Sequence, residues 1–65
     1  MLRVKSPTGS DLARIRVERL LTQADAASQV GCSVRAWQDW ESGKVPQFRY
    51  QRALIEWANG DKAAA

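Results

Sequence analysis

The chain has no histidine, one cysteine, two prolines and four glycines in 65 residues. Without histidine it lacks the side chain that most often serves as a general base near neutral pH, and the commonest metal ligand. Its acids and Cys32 show no metal-ligand spacing, and there is no glycine-rich phosphate loop, no paired acids in a cleft and no nucleophile–base set. An enzyme, a cofactor and a metal are therefore not expected, nor is a small-molecule substrate. Cys32 cannot form an internal disulfide, whereas small secreted scaffolds usually carry several, so a reducing cytoplasm is the expected setting. No apolar run approaches the roughly 20 residues that cross a bilayer, which argues against a membrane partner. Residues 1–7 have no apolar stretch of the signal-peptide kind.

What is present is a small core's worth of apolar residues. Hydrophobic residues make up 45% of the chain, with three Trp, one Tyr and one Phe. A domain of this length buries only about 60% of the surface its unfolded chain exposes, so large aromatic rings carry much of the packing. The formal net charge is +3, mildly basic and compatible with a nucleic-acid partner without requiring one. Its distribution is uneven. Residues 1–21 are net +3 (Arg3, Lys5, Arg14, Arg16 and Arg19 against Asp11 and Glu18). Residues 22–45 are net −1 (Arg35 and Lys44 against Asp25, Asp39 and Glu41), and residues 46–65 are net +1.

Capping signals divide the chain into four helices. Residues 1–7 read as a basic arm closed by Pro7, either a frayed end or an arm that reaches phosphate or the minor groove. Thr8-Gly-Ser-Asp11 has the spacing of a capping box, with Asp in place of Glu, and opens a first helix over about 9–19. Leu12 and Ile15 supply its apolar stripe, extended by Val17 and Leu20, while Arg14 and Glu18 pair four apart on the wet face. Thr22-Gln-Ala-Asp25 repeats the cap and opens a second helix over 23–30, with Ala26, Ala27 and Val30 on a small-residue face. Gly31 ends it in the left-handed conformation. Ser33 caps a third helix over about 34–42. Trp37 and Trp40 are expected to face inward, and Arg35, Gln38, Asp39 and Ser42 outward, with Val34 and Ala36 at the groove's entrance. Pro46 introduces a fourth helix over about 47–58, with Tyr50, Leu54, Trp57 and Ala58 as its stripe, stopped by Asn59-Gly60. Residues 61–65 read as a flexible tail, and 8–60 as one domain.

Two short helices joined at a turn glycine form a helix-turn-helix, whose second helix enters the major groove of DNA. The residues Leu20-Leu-Thr-Gln-Ala, Ala27, Gly31, Ser33, Trp37 and Trp40-Glu-Ser-Gly-Lys44 resemble the signature of the phage repressor and Cro-like helix-turn-helix family, also called the XRE family. The resemblance covers residues 8–58. It implies an all-α, lambda-repressor-like four-helix bundle in the cytoplasm of a bacterial or phage-infected cell. The Trp-Gln-Asp-Trp-Glu-Ser-Gly run in a short chain also resembles the small anti-CRISPR-associated repressors.

The resemblance implies roles for individual residues. Thr22 and Gln23, at the start of the second helix, match phosphate-binding positions, and Lys44, Gln47 and Arg49 match the phosphate-contacting loop. Ser33, Val34, Arg35 and Asp39 match base-facing positions. Arg16 and Glu41 match an internal ion pair tying the first helix to the third. The chemistry leaves choices open at several of these. Arg35 fits guanine O6 and N7, or else grips phosphate; Val34 fits a thymine methyl, or else covers the core. Gln38 fits adenine N6 and N7, or else points away. Asp39 is repelled by phosphates unless it accepts from cytosine N4 or orients Arg35; otherwise it is a solvated or arginine-pairing charge. Cys32 reads as a half-buried thiol. Many members have a fifth helix that this chain has little length to form, so the family's usual dimer surface does not simply transfer. The expected function is sequence-specific binding of double-stranded DNA by a transcriptional repressor, as a homodimer on an inverted repeat, with the fourth helix supplying the dimer contact through Phe48, Trp57 or neighbouring apolar residues. The alternative is a protein-interaction or antitoxin-like module of the same fold, favoured by the near-neutral third helix.

Overall fold

The computed structural model describes residues 7–60, and within them four helices and no strand. These are α1 (Gly9–Glu18), α2 (Gln23–Val30), α3 (Val34–Glu41) and α4 (Phe48–Ala58). The arm expected at 1–7, apart from buried Pro7, and the tail expected at 61–65 lie outside the described residues.

Local chemistry accounts for the first three helix starts. Thr8 Oγ1 accepts from the Asp11 amide at 3.1 Å while Asp11 returns a bond to the Thr8 amide at 3.0 Å. Thr22 and Asp25 repeat this reciprocal box, both bonds at 3.0 Å. In each box the backbone bond from the threonine holds the aspartate below its ordinary pKa. Ser33 Oγ accepts from the Ala36 amide at 3.0 Å. Helix α4 starts at Phe48, one residue later than expected, with Gln47 as its N-cap and no side-chain cap bond.

The ends of α2 and α4 fall where expected, while those of α1 and α3 differ for one physical reason. Helix α1 stops at Glu18, and Leu20 takes a left-handed φ of 60°. The Leu20 amide bonds the Val17 carbonyl and the Leu21 amide bonds the Arg16 carbonyl, both at 3.0 Å. That is the paired closure of a Schellman motif, with leucine in the seat that usually holds glycine. The turn rotates Leu20 out of the stripe to 90% exposure, and Val17 is 58% exposed, so neither extends the core as expected. Helix α3 closes the same way one residue earlier than expected, with Gly43 at φ 115° and the Lys44 amide on the Asp39 carbonyl at 3.0 Å.

Helix α3 packs on α1 and α2, and α4 packs on α2 and α1. The core is Leu12, Ile15, Ala26, Ala27, Trp37, Trp40, Leu54 and Trp57. The aromatic rings form a chain: Trp57 lies 5.0 Å from Trp37, Trp37 5.9 Å from Trp40, and Trp40 5.3 Å from Tyr50. Tilted and edge-on pairs of this kind add to simple area burial. Trp57 is therefore a core residue and offers little surface to a second subunit, contrary to the role expected for it; Phe48 is 87% exposed. Gly9 is fixed by close approach: a Cβ there would collide with the carbonyl oxygen of Trp40. The start of α1 thus sits directly on the end of α3.

Candidate nucleic-acid interface

The packing of α3 decides which of its residues face outward. Trp37 and Trp40 are buried, and Ala36 is half-buried at the edge of the same side, packed against the core while also lining the open groove between α3 and α4. Val34, Arg35, Gln38 and Ser42 are exposed, with Asp39 half-buried beside them. Arg35 Nε donates to Asp39 Oδ1 at 3.3 Å. Ser33 is exposed at the cap.

Beneath this face lies a bonded cluster around Glu41. Arg16 grips the carboxylate with two bonds, Nε to Oε2 at 2.6 Å and Nη2 to Oε1 at 3.2 Å. Trp37 Nε1 donates to Oε2 at 2.5 Å and Gln23 Nε2 to Oε1 at 3.1 Å. Arg16 Nη1 also donates to the Leu21 carbonyl at 3.0 Å. The two charged side chains are only 18% and 11% exposed. Burial works to raise the Glu41 pKa, but the bonds from Arg16, Trp37 and Gln23 and the Arg16 charge outweigh it, leaving the carboxyl below its ordinary value. The bond to Glu41 holds Arg16 above its ordinary value. One acid thereby joins α1, α2 and α3 and fixes the angle at which α3 is presented.

Gln23 extends this cluster to the surface. Its Oε1 accepts from Gln38 Nε2 at 3.3 Å, so the first residue of α2 and the middle of α3 are held together. Thr22 Oγ1 accepts from the Asp25 amide in the cap, and its hydroxyl proton joins the Gln23 and Ala24 amides as outward donors at the start of α2. On the other flank, Ser33, Asp39, Lys44, Gln47, Arg49 and Tyr50 line an open groove between α3 and the start of α4. Lys44, Gln47 and Arg49 are exposed, and the Arg49 guanidinium stands 5.1 Å over the Tyr50 ring.

Against known families, residues 9–61 match the helix-turn-helix domain family. The chain belongs to that family. No curated protein and no solved structure matches it.

In helix-turn-helix terms, α2 and α3 are the two helices of the motif and the turn runs through Gly31, with φ 91°. Membership supports DNA as the partner. Among the described residues no helix is long and apolar enough to cross a membrane. The residues expected to face bases share the outer side of α3. Those expected to meet phosphate divide between the start of α2 and the groove beyond α3.

Three features had no sequence signal. Arg19 donates to the Trp57 carbonyl at 2.9 Å and the Ala58 carbonyl at 3.3 Å and stands 4.8 Å over the Trp57 ring. It closes the end of α4 from α1, but its partners are far along the chain. The bond of Gln23 to Glu41 is likewise tertiary, whereas Trp37 reaches Glu41 four residues along α3 itself. Tyr50 counted only as an apolar stripe residue, yet it also lines the groove. Cys32 is half-buried, and burial raises its thiol pKa, away from reactive thiolate character.

Proposed function

We propose that this helix-turn-helix protein binds double-stranded DNA sequence-specifically and represses transcription by occupying a promoter. The observation that carries the reading is the two-sidedness of α3: Trp37 and Trp40 are buried while Arg35 and Gln38 stand outward beside the Lys44–Arg49 flank. With α3 in the major groove, Ser33, Val34, Arg35, Gln38 and Asp39 face base edges. The start of α2 at Thr22 and Gln23 and the groove residues Lys44, Gln47 and Arg49 meet the phosphates on either side. Helix N-terminal amides favour an anion independently of side-chain charge.

A homodimer on an inverted repeat, with half-sites about one helical turn apart, fits this reading because a single face with few cations gives modest affinity. Phe48 is the exposed apolar residue of α4 available to such a contact.

The test is a salt titration of binding to random duplex, with footprinting on the DNA upstream of the coding sequence. The reading expects affinity to fall steeply with salt, as released counterions require, and a protected inverted repeat. A second reading, a protein-interaction module, is favoured by the exposure of Val45 and Phe48 at the start of α4. Indifference to duplex DNA at low salt would select it.

A further inference from the structure

Asp39 differs in its place from the other acids of the described chain. Asp11 and Asp25 complete capping boxes, Glu41 joins three helices, and Glu18 and Glu56 pair with Arg14 on α1 and Arg52 on α4. Asp39 lies on the face proposed to meet DNA, where a carboxylate is repelled by phosphate. Its backbone carbonyl helps close α3, receiving Ser42 Oγ at 2.7 Å and the Lys44 amide at 3.0 Å. Any residue type supplies that carbonyl. The carboxylate itself bonds only Arg35 among the described residues.

We infer that Asp39 is a positioning residue that aims Arg35 at a guanine, an inference that rests on the DNA-binding reading above. The geometry gives the reason. Asp39 holds Arg35 through Nε, one turn along the same helix, at 3.3 Å. The outer edge of the guanidinium, Nη1 and Nη2, is left without a partner among the described residues, and 80% of the side chain is exposed. Those two nitrogens present parallel donors that match the O6 and N7 acceptors of guanine. A long, flexible arginine otherwise loses rotamer freedom when it binds, and pre-ordering in the free protein reduces that loss. The negative charge has a second effect. It weakens any grip of Arg35 on a phosphate, which every sequence offers, and leaves the guanine contact less affected. Specificity is gained by penalising the wrong contact as well as by making the right one.

The experiment is selection of binding sites from a random duplex pool with the wild-type chain, Asp39→Ala, Asp39→Asn and Arg35→Ala, followed by affinity measurements on the selected site and on single-base variants. The wild type is expected to select a guanine at one position per half-site that Arg35→Ala no longer distinguishes. Asp39→Ala is expected to lose about twofold of its discrimination at that same position, in line with an exposed pair four apart, while its affinity for random DNA rises. Asp39→Asn, which keeps an acceptor for Nε without the charge, should retain part of the guanine preference. Asp39→Ala in the Arg35→Ala background should change discrimination no further at that position. Asp39→Ala that tightens binding to all sequences alike and keeps its guanine preference overturns the inference while leaving the DNA reading intact. A wild-type chain that selects no sequence overturns both.

Discussion

Among the described residues two arginine–carboxylate pairs involve α3, and they differ in nearly every respect. Arg16 and Glu41 are far apart in sequence, mostly buried and joined by two bonds, with Trp37 and Gln23 completing the acid's coordination. Arg35 and Asp39 are one turn apart, open to solvent on the arginine side and joined by one bond of 3.3 Å. The first pair is committed to the fold: removing either partner strands a buried charge. The second has little to give the fold, since exposed pairs four apart on a helix contribute only about 0.3–0.5 kcal/mol. The same two functional groups therefore serve architecture in one place and are available to a ligand in the other. Solvent access and the number of further bonds decide which.

The largest expected effect is at the buried pair. Glu41→Ala should destabilise the protein by about 3–5 kcal/mol, because it leaves Arg16 charged and unpaired and also releases the Trp37 and Gln23 donors. Urea unfolding followed by tryptophan fluorescence measures it, and a loss below about 1 kcal/mol would place this pair among exposed ones. The same acid sets a pH dependence. Its pKa is lowered in the folded state, so its contribution is fully present above the unfolded value of about 4.3 and is lost as pH falls through the lower folded value. Asp11 and Asp25 shift in the same direction. Stability should thus decline below about pH 4.5, and Glu41→Gln should be less stable at neutral pH with a shallower acid decline.

Next in size is the contact that brings α1 onto α3. Gly9→Ala places a methyl group against the Trp40 carbonyl, which is backbone and cannot swing aside. The helices must separate, at a cost of about 1–3 kcal/mol. The separation would also strain the Arg16–Glu41 bonds. A double-mutant cycle of Gly9→Ala with Glu41→Ala is expected to be non-additive, whereas Gly9→Ala with Asp39→Ala should be additive.

These contrasts show where the sequence was readable. Residues 22–42 carried their structure locally: Thr22 with Asp25 and Ser33 mark two helix starts, Gly31 marks the turn, and the spacing of Trp37 and Trp40 marks the inner face. The outer face of α3 followed from that spacing. What escaped was of two kinds. Leu20 looked like a continuation of the α1 stripe, because a leucine in a left-handed turn has no distinguishing mark in sequence; the closure appears only in the bonds to Arg16 and Val17. Gly9, Arg19 and Gln23 owe their tasks to partners in other helices, and no local pattern signals a carbonyl or a carboxylate so far along the chain. Of the proposed interface, the residue types were legible. The bond between Arg35 and Asp39 was one of several readings that the sequence left open.

The smallest expected effect on the fold is at that exposed pair, and it completes the contrast. Arg35→Ala should change unfolding free energy by less than about 0.5 kcal/mol, since its side chain is 80% exposed and its one bond is worth little in water. On the proposed reading the same substitution should cost about 1–3 kcal/mol of affinity for the selected site, concentrated at one base position. Lys44→Ala and Arg49→Ala should instead weaken binding to every sequence and flatten the salt slope. Thermal unfolding and binding isotherms on the same preparations separate the two quantities. If Arg35→Ala lost several kcal/mol of stability, the pair would be structural after all, and the division drawn between the buried and exposed arginines would not stand. If it kept both stability and site preference, Arg35 would not be the base reader.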